Sequence, residues 1–271
     1  MTPPPLTWLY APGDRPDVVA KALTCGADVV IVDLEDAVAP DRKEYARAAT
    51  AELLSAPPPV PVHVRVNALD SGWAAADLAA VAALPGLSGL RLPKATAPRQ
   101  VVRVARAAAG VPLYPLLESA LGVERAYLIA AAHPAVRGIA LGEADLRADL
   151  GVSGGTGLDF CRSRVVVAAR AAGLAPPCQS VHPDTRDLAG LAASCAHGRS
   201  LGFLGRAAIH PRQLPVIERA YLPSTAELDA AEAVLKAAAV EQGALALPDG
   251  RFVDAAVVAA AQRTLSLSRR P

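Results

Sequence analysis

Short runs of Val, Ile and Leu recur along the chain, and alanine-rich stretches with helical spacing lie between them. The runs fall at Leu6–Ala11, Asp28–Asp33, Val62–Val66, Gly89–Leu92, Val111–Leu117, Val136–Leu141, Pro177–Val181 and Phe203–Ile209. They are spaced by roughly 20 to 40 residues, about what a strand and its crossover helix consume, so each reads as a strand of a parallel sheet. Eight such units predict an α/β fold closed into a (β/α)8 barrel, the TIM barrel, because a doubly wound sheet usually stops at about six strands.

Helix boundaries fit between these runs. Asp14-Arg15-Pro16 and Thr96-Ala97-Pro98 each put a capping residue ahead of a first-turn proline, and Gly110 stops the helix read over Arg99–Ala109. Beyond the eighth run, Ser224-Thr-Ala-Glu227 is a capping box that opens a helix to about Gln242. A turn at Pro248-Asp249-Gly250, the segment Phe252-Val-Asp254 and a last apolar helix, Ala255–Leu267, follow. The expected organisation is a barrel over residues 1–223 and a helical extension over 224–271, placed to act as a lid.

Composition narrows the function classes. The chain has 271 residues, 52% of them hydrophobic, enough for one large core. Lys+Arg number 27 against 26 Asp+Glu, a net charge of +1, and the two signs are interspersed, so no basic stripe invites nucleic acid. No apolar stretch reaches the ~20 residues of a membrane-spanning helix, and Met1–Leu6 has no leader pattern, so no membrane partner is expected. Cys25, Cys161, Cys178 and Cys195 lack metal or disulfide spacing and read as reduced thiols of a cytoplasmic protein.

In a barrel of this class the chemistry sits at the C-terminal ends of the strands. Polar residues gather there: Asp33-Leu-Glu35-Asp36, Arg65-Val-Asn67, Lys94, Glu118-Ser119, Glu143-Ala-Asp145 and His210-Pro211. Glu118 and Asp145, at adjacent strand ends, are two hard oxygen ligands suited to Mg²⁺, with water and substrate filling the other positions. Each also has a structural reading, as a helix cap or an arginine's partner. Arg65 and Lys94 point at the same mouth, either to clamp a substrate carboxylate or phosphate or to balance the acidic residues. The Gly-rich stretches Gly151–Gly157 and Gly202–Gly205 match no phosphate-binding fingerprint.

Read together, Tyr10-Ala-Pro-Gly-Asp-Arg-Pro16, Val32-Asp-Leu-Glu-Asp-Ala-Val38, Val64-Arg-Val-Asn67, Leu92-Pro-Lys94, Leu117-Glu-Ser119, Ala140-Leu-Gly-Glu-Ala-Asp-Leu146 and Gly202–Gln213 run in order over nearly the whole chain. In these motifs the sequence resembles the citrate lyase β-subunit-like branch of the HpcH/HpaI aldolase superfamily. The resemblance implies Mg²⁺ held by Glu118 and Asp145, with substrate contacts from Glu118 and a catalytic, carboxylate-binding role for Arg65. It implies a second shell in which Glu35 and Asp36 hold metal-bound water, and a coenzyme A end placed by Arg15 and Lys94. It further implies a carbon–carbon lyase acting on a malyl-, citramalyl- or citryl-type coenzyme A thioester. In related lyases an Asp on a C-terminal lid reaches the next subunit's site; Asp254 lies at that point, which implies a catalytic Asp254 and a homo-oligomer, a trimer by analogy. Gln179 stands where relatives often carry Asp.

Two other readings stay open: a metal-dependent pyruvate aldolase acting on free hydroxy-keto acids, and a citrate-lyase-type β subunit that turns over only with an acyl-carrier partner.

Overall fold

The computed structural model describes residues 4–240, 245–246 and 250–268. These fall into two compact units, Leu6–Glu218 and the remainder.

The first unit is built on seven strands: β1 (Thr7–Pro12), β2 (Val29–Asp33), β3 (Val62–Arg65), β4 (Leu87–Leu92), β5 (Leu113–Leu117), β6 (Ala140–Leu141) and β7 (Arg206–Ala208). They form one parallel sheet in the order β6-β5-β4-β3-β2-β1-β7. At least one helix separates each strand from the next. β2 is buried along its whole length, Val29-Val-Ile-Val-Asp33, as expected where a parallel sheet is covered on both faces.

One face of the sheet carries a shared interior. Trp8, Val29, Ile31, Leu116, Ala140, Cys178 and Ala207 form a single cluster, so side chains from β1, β2, β5, β6 and β7 converge and the sheet curls as a half-barrel does. Gly205, with φ 75°, lets β7 enter against Leu6, whose carbonyl a Cβ at that position would strike.

The seventh predicted run, Pro177–Val181, is not a regular strand. It makes a single parallel bridge, Gln179 with Arg206, and its backbone exchanges hydrogen bonds with 204–207. Most of the sixth predicted run, Val136–Leu141, is likewise irregular, with Val136 bridging Leu113 and only Ala140–Leu141 pairing as a strand. Pro176 precedes the first segment and Pro177 opens it, neither donating an N–H to a ladder, and Gly138 interrupts the second.

The caps differ in part from expectation. The helix Pro16–Ala22 has no side-chain cap, and Asp14 instead meets Arg42 at 3.6 Å. Before Pro98–Ala107 the acceptor is Gln100 Oε1, which takes the N–H groups of Thr96 and Ala97. All four cysteines are free thiols. No helix among the described residues is long and apolar enough to cross a membrane.

The second unit pairs the helix Thr225–Val240 with Ala255–Leu267 across Ala231, Val234, Val253 and Ala261. The capping box forms, with Ser224 N donating to Glu227 Oε2 at 2.8 Å and Glu227 N to Ser224 Oγ at 3.3 Å. Two short strands not expected from the sequence, Leu245–Ala246 and Phe252–Val253, pair antiparallel. The expected helix end at Gln242 and most of the Pro248–Gly250 turn lie outside the described residues.

Candidate active site

Side chains of alternate residues from the sheet's inner face, with the loops beyond, line a cavity of about 350 Å³. Tyr10, Asp33, Arg65, Arg91, Leu116, Glu118, Gly142, Asp145 and Cys178 line it, whereas the side chain of Gln179, of the opposite parity to Cys178, turns outward and donates to the carbonyl of Ser194 at 3.1 Å. The period of two along a strand explains the set: Leu90 and Leu92 turn to the helix side while Arg91 turns inward, and the same parity brings in Leu116 and Glu118.

Arg65 is the most heavily engaged group. Its Nε and Nη2 donate to the two oxygens of Asp33 at 2.7 and 2.6 Å, and its Nη1 lies 3.1 Å from Glu35 and 3.3 Å from Asp36. Asp33 and Arg65 are register partners on β2 and β3, which is why they meet fork to fork. Burial alone would lower the guanidinium's pKa, but the hydrogen bonds and charge of Asp33 outweigh it and hold the proton firmly. In the sequence Asp33 is only one carboxylate at a strand end; the β2–β3 register is the signal that identifies it as Arg65's partner.

Glu35 is buried and its pKa is raised, first by burial and then by neighbouring Asp36 against the pull of Arg65 and Lys94. Arg65 and Lys94 approach its oxygens at ion-pair distance without hydrogen-bond alignment. A further residue that the sequence did not single out, Lys43, sits beneath this loop and donates to the carbonyls of Leu34 and Glu35 at 2.7 and 2.6 Å.

Glu118 is 5% exposed, and its carboxyl is pushed up to about 7, chiefly by burial and then by the charge of Glu35. The N–H of Lys94 donates to its Oε2 at 2.8 Å. Across the loop, Gly142 lies so close that a Cβ there would collide with the Glu118 carboxylate. Asp145, in the first turn of the helix Glu143–Leu150, is exposed and opens on the cavity. Neither Glu118 nor Asp145 has an ion-pair partner among the described residues, whereas Glu143 is taken by Arg162 at 2.6 Å. Two carboxylates with an unfilled charge deficit, and no third His, Cys, Asp or Glu completing a cage among the described residues, fit a cation such as Mg²⁺ that keeps several waters.

Lys94 turns its ammonium to Glu35 at 3.2 Å and Asp36 at 3.9 Å, and its pKa is raised because Glu35's charge outweighs partial burial. Arg15 is exposed on the loop after β1 and does not line the cavity. In the second unit, Asp254 caps Ala255–Leu267, accepting from Val257 N at 2.9 Å.

Residues 6–211 match the family described as HpcH/HpaI aldolase/citrate lyase. The chain belongs to this family. Within it, the chain is 38% identical over 266 residues to a citrate lyase subunit beta-like protein of Mycobacterium tuberculosis, covering 95% of this chain and 93% of the relative. It is 35% identical over 271 residues to a (3S)-malyl-CoA thioesterase of Cereibacter sphaeroides, covering 95% and 92%. Among solved structures, protein CitE from Mycobacterium tuberculosis in complex with magnesium, acetoacetate and coenzyme A superimposes with a TM-score of 0.85 at 35% identity, over 98% of both chains. A citrate lyase beta subunit from the same organism, complexed with oxaloacetate and magnesium, gives a TM-score of 0.70 at 35% identity, over 81% of this chain and 97% of that one.

Proposed function

We propose that the chain is a Mg²⁺-dependent carbon–carbon lyase that cleaves, or in reverse condenses, a small 3-hydroxyacyl-CoA thioester of the malyl, citramalyl or citryl type. The observation that carries this reading is the charge left open at the cavity. Asp33, Glu35, Asp36 and Glu143 each meet an arginine or lysine, while Glu118 and Asp145 meet none among the described residues. The raised pKa of Glu118 is that of a carboxylate whose counter-ion the chain does not supply. Glu118 and Asp145 would hold Mg²⁺, beside the space that Gly142 leaves. Bound there, the metal would supply Lewis acidity to the oxygens of the hydroxy acid and of the oxo acid it becomes.

In this reading the protein's own groups bind and orient. Arg65, held rigid by Asp33, turns its guanidinium edge to the substrate carboxylate, and Glu35 and Asp36 hold water. Arg15 and Lys94 place the coenzyme A end, and Asp254 moves the proton at the thioester's α-carbon. Pro177–Val181 serves as one more stave of a closed (β/α)8 barrel, supported by its hydrogen bonds to 204–207 and by Glu143 N donating to Ser180 Oγ at 3.3 Å. The barrel spans 1–223, the extension 224–271, and the assembly is a homotrimer in which Asp254 crosses to a neighbour. That CitE relatives are seen with magnesium, coenzyme A and oxo acids supports the same ligand classes here.

The Cereibacter relative named a thioesterase favours a second outcome, hydrolysis of the thioester. Product analysis separates the readings. With Mg²⁺ and a panel of malyl-, citramalyl-, β-methylmalyl- and citryl-CoA, a lyase releases a 2-oxo acid and a shorter acyl-CoA. Free coenzyme A thiol without a 2-oxo acid marks a thioesterase. Turnover of free hydroxy-keto acids in place of thioesters marks an aldolase, and turnover only with an acyl-carrier partner marks a dependent subunit; each of these overturns the stand-alone lyase.

A further inference from the structure

Arg91 stands in the middle of β4, between its register partners Arg65 on β3 and Tyr114 on β5. It is 2% exposed, lines the cavity, and its Nε is buried without a hydrogen-bond partner. Its guanidinium carbon lies 5.7 Å from the centroid of the Tyr114 ring, which is itself stacked on His63 at 4.5 Å. Among the described residues no carboxylate comes within ion-pair distance of Arg91, although the neighbouring Arg65 has three.

The groups around Arg91 do not answer its charge. Burial, aided by the charge of Arg91, holds the pKa of His63 well below the ordinary histidine value, so the imidazole is neutral. The phenols of Tyr10 and Tyr114 are pushed up by burial and keep their protons. A guanidinium enclosed in this way is strongly disfavoured unless an anion joins it. The cavity it faces is the place for that anion.

The cavity thus has two poles. At the mouth, Glu118 and Asp145 form the cation site. Lys94, whose N–H pins Glu118, lies past the end of β4, whereas Arg91 lies within the strand, level by register with Arg65, and so marks a floor beneath the cation site. A hydroxy acid held at the mouth by its hydroxyl and first carboxylate directs the remaining substituent of its hydroxyl-bearing carbon toward that floor. Where the substituent is hydrogen or methyl, the guanidinium stays bare; where it ends in a carboxylate, the charge is met.

We propose that Arg91 is the anion anchor of the substrate cavity, and that it takes the second carboxylate of a 2-oxo dicarboxylate unit. The thioester is then of the citryl type, with a carboxyalkyl arm on the hydroxyl-bearing carbon, rather than of the malyl or citramalyl type. This rests on the lyase reading above and selects among its substrates. The bond broken joins the hydroxyl-bearing carbon to the thioester's α-carbon. The hydroxyl loses a proton as it becomes the oxo group and the α-carbon gains one, so no oxidant or reductant enters.

The test is calorimetric titration of the full chain, saturated with Mg²⁺, with glyoxylate, pyruvate, freshly prepared oxaloacetate and 2-oxoglutarate, compared with Arg91→Met and Arg91→Lys. Wild type is expected to bind at least one dicarboxylate about tenfold or more tightly than pyruvate, as a charge-assisted pair in a buried site should. Arg91→Met should erase that preference to within about twofold, leave pyruvate and Mg²⁺ binding unchanged, and melt at or above the wild-type temperature without ligand, while Arg91→Lys recovers part of the preference. A wild type with no preference for a dicarboxylate, an Arg91→Met that weakens pyruvate and the dicarboxylate equally, or one that melts well below wild type overturns the assignment. If wild type binds Mg²⁺ and pyruvate but does not favour a dicarboxylate, the lyase reading stands and the Arg91 inference alone falls. If it binds neither Mg²⁺ nor any oxo acid, both fall.

Discussion

The backbone N–H of Lys94 donates to Oε2 of Glu118 at 2.8 Å, and it does so from a left-handed conformation, φ 52°, seen at no other non-glycine residue among those described. The turn that ends β4 is therefore bent to present an amide to a buried carboxylate. A left-handed lysine costs about 1–2 kcal/mol against an extended one. Lys94→Gly should adopt this turn freely and keep Mg²⁺ affinity within about threefold, whereas Lys94→Val, strongly disfavoured at positive φ, should misplace the amide and weaken Mg²⁺ about tenfold or more. Calorimetric Mg²⁺ titration of the two variants checks this; equal affinities would separate the turn from the metal site.

Glu118 ties stability to pH. Its folded pKa of about 7 lies above the ordinary 4.5, so between those values the native chain holds a proton that the unfolded chain has released. Without metal, the protein should lose stability as pH rises through that window, by roughly 3 kcal/mol from this group. Subtracting the thermal-melt profile of Glu118→Gln from that of wild type should isolate the loss. Mg²⁺ competes with the same proton, so its affinity should fall by about tenfold per pH unit below about 7, and Glu118→Gln should not bind it at all. Undiminished Mg²⁺ binding in Glu118→Gln, or in Asp145→Asn, removes the ligand assignment.

The Arg65–Asp33 fork should be intolerant of conservative change. Arg65→Lys replaces a planar two-point donor with a point charge and should lower kcat/KM by about tenfold or more. Asp33→Asn leaves the buried guanidinium leaning on Glu35 and Asp36 and should destabilise the fold by about 3 kcal/mol. A kcat/KM for Arg65→Lys within about twofold of wild type would make Arg65 a structural counter-ion only.

Asp254 performs a structural task at Val257 N, and the two candidate tasks can be separated. Asp254→Ala should lose about 1 kcal/mol of helix capping, while Asp254→Ser keeps an acceptor and should melt as wild type does. If Asp254 also moves a proton, the serine variant is folded and inactive. Mixed with Glu118→Gln and allowed to exchange subunits, it should regain part of the wild-type rate. Full activity in Asp254→Ser leaves only the cap, and proven exchange without regained activity excludes a role in the neighbouring subunit.

Much of this architecture is legible in the sequence, and the places where it is not have physical causes. Six of the eight predicted runs overlap regular strands closely because a parallel sheet covered on both faces needs unbroken apolar stretches, as in Val29–Val32. Val136–Leu141 and Pro177–Val181 have the composition of strands but are interrupted by Gly138 or preceded by proline, so pairing there is sparse. At the site, Glu118 and Asp145 are visible as single carboxylates at strand ends. Asp33 as a partner for Arg65, Lys43 under the loop and Arg91 at the floor depend on register and depth, which a linear reading sees only when side-chain parity is followed along each strand.

β1 pairs on one side with β2 and on the other with β7, where Thr7 meets Arg206, about 200 residues further along the chain. On a ribosome adding roughly 5–20 residues per second, the far edge of β1 waits tens of seconds for its neighbour to emerge. Strands β1 to β6 can meanwhile zip together one after another through short local crossovers, but the ribbon they make ends in an apolar, unpaired edge at Trp8 and Leu9. A nascent chain halted before residue 206 is thus the aggregation-prone form of this protein, and the last strand of the sheet is also the event that shields its first.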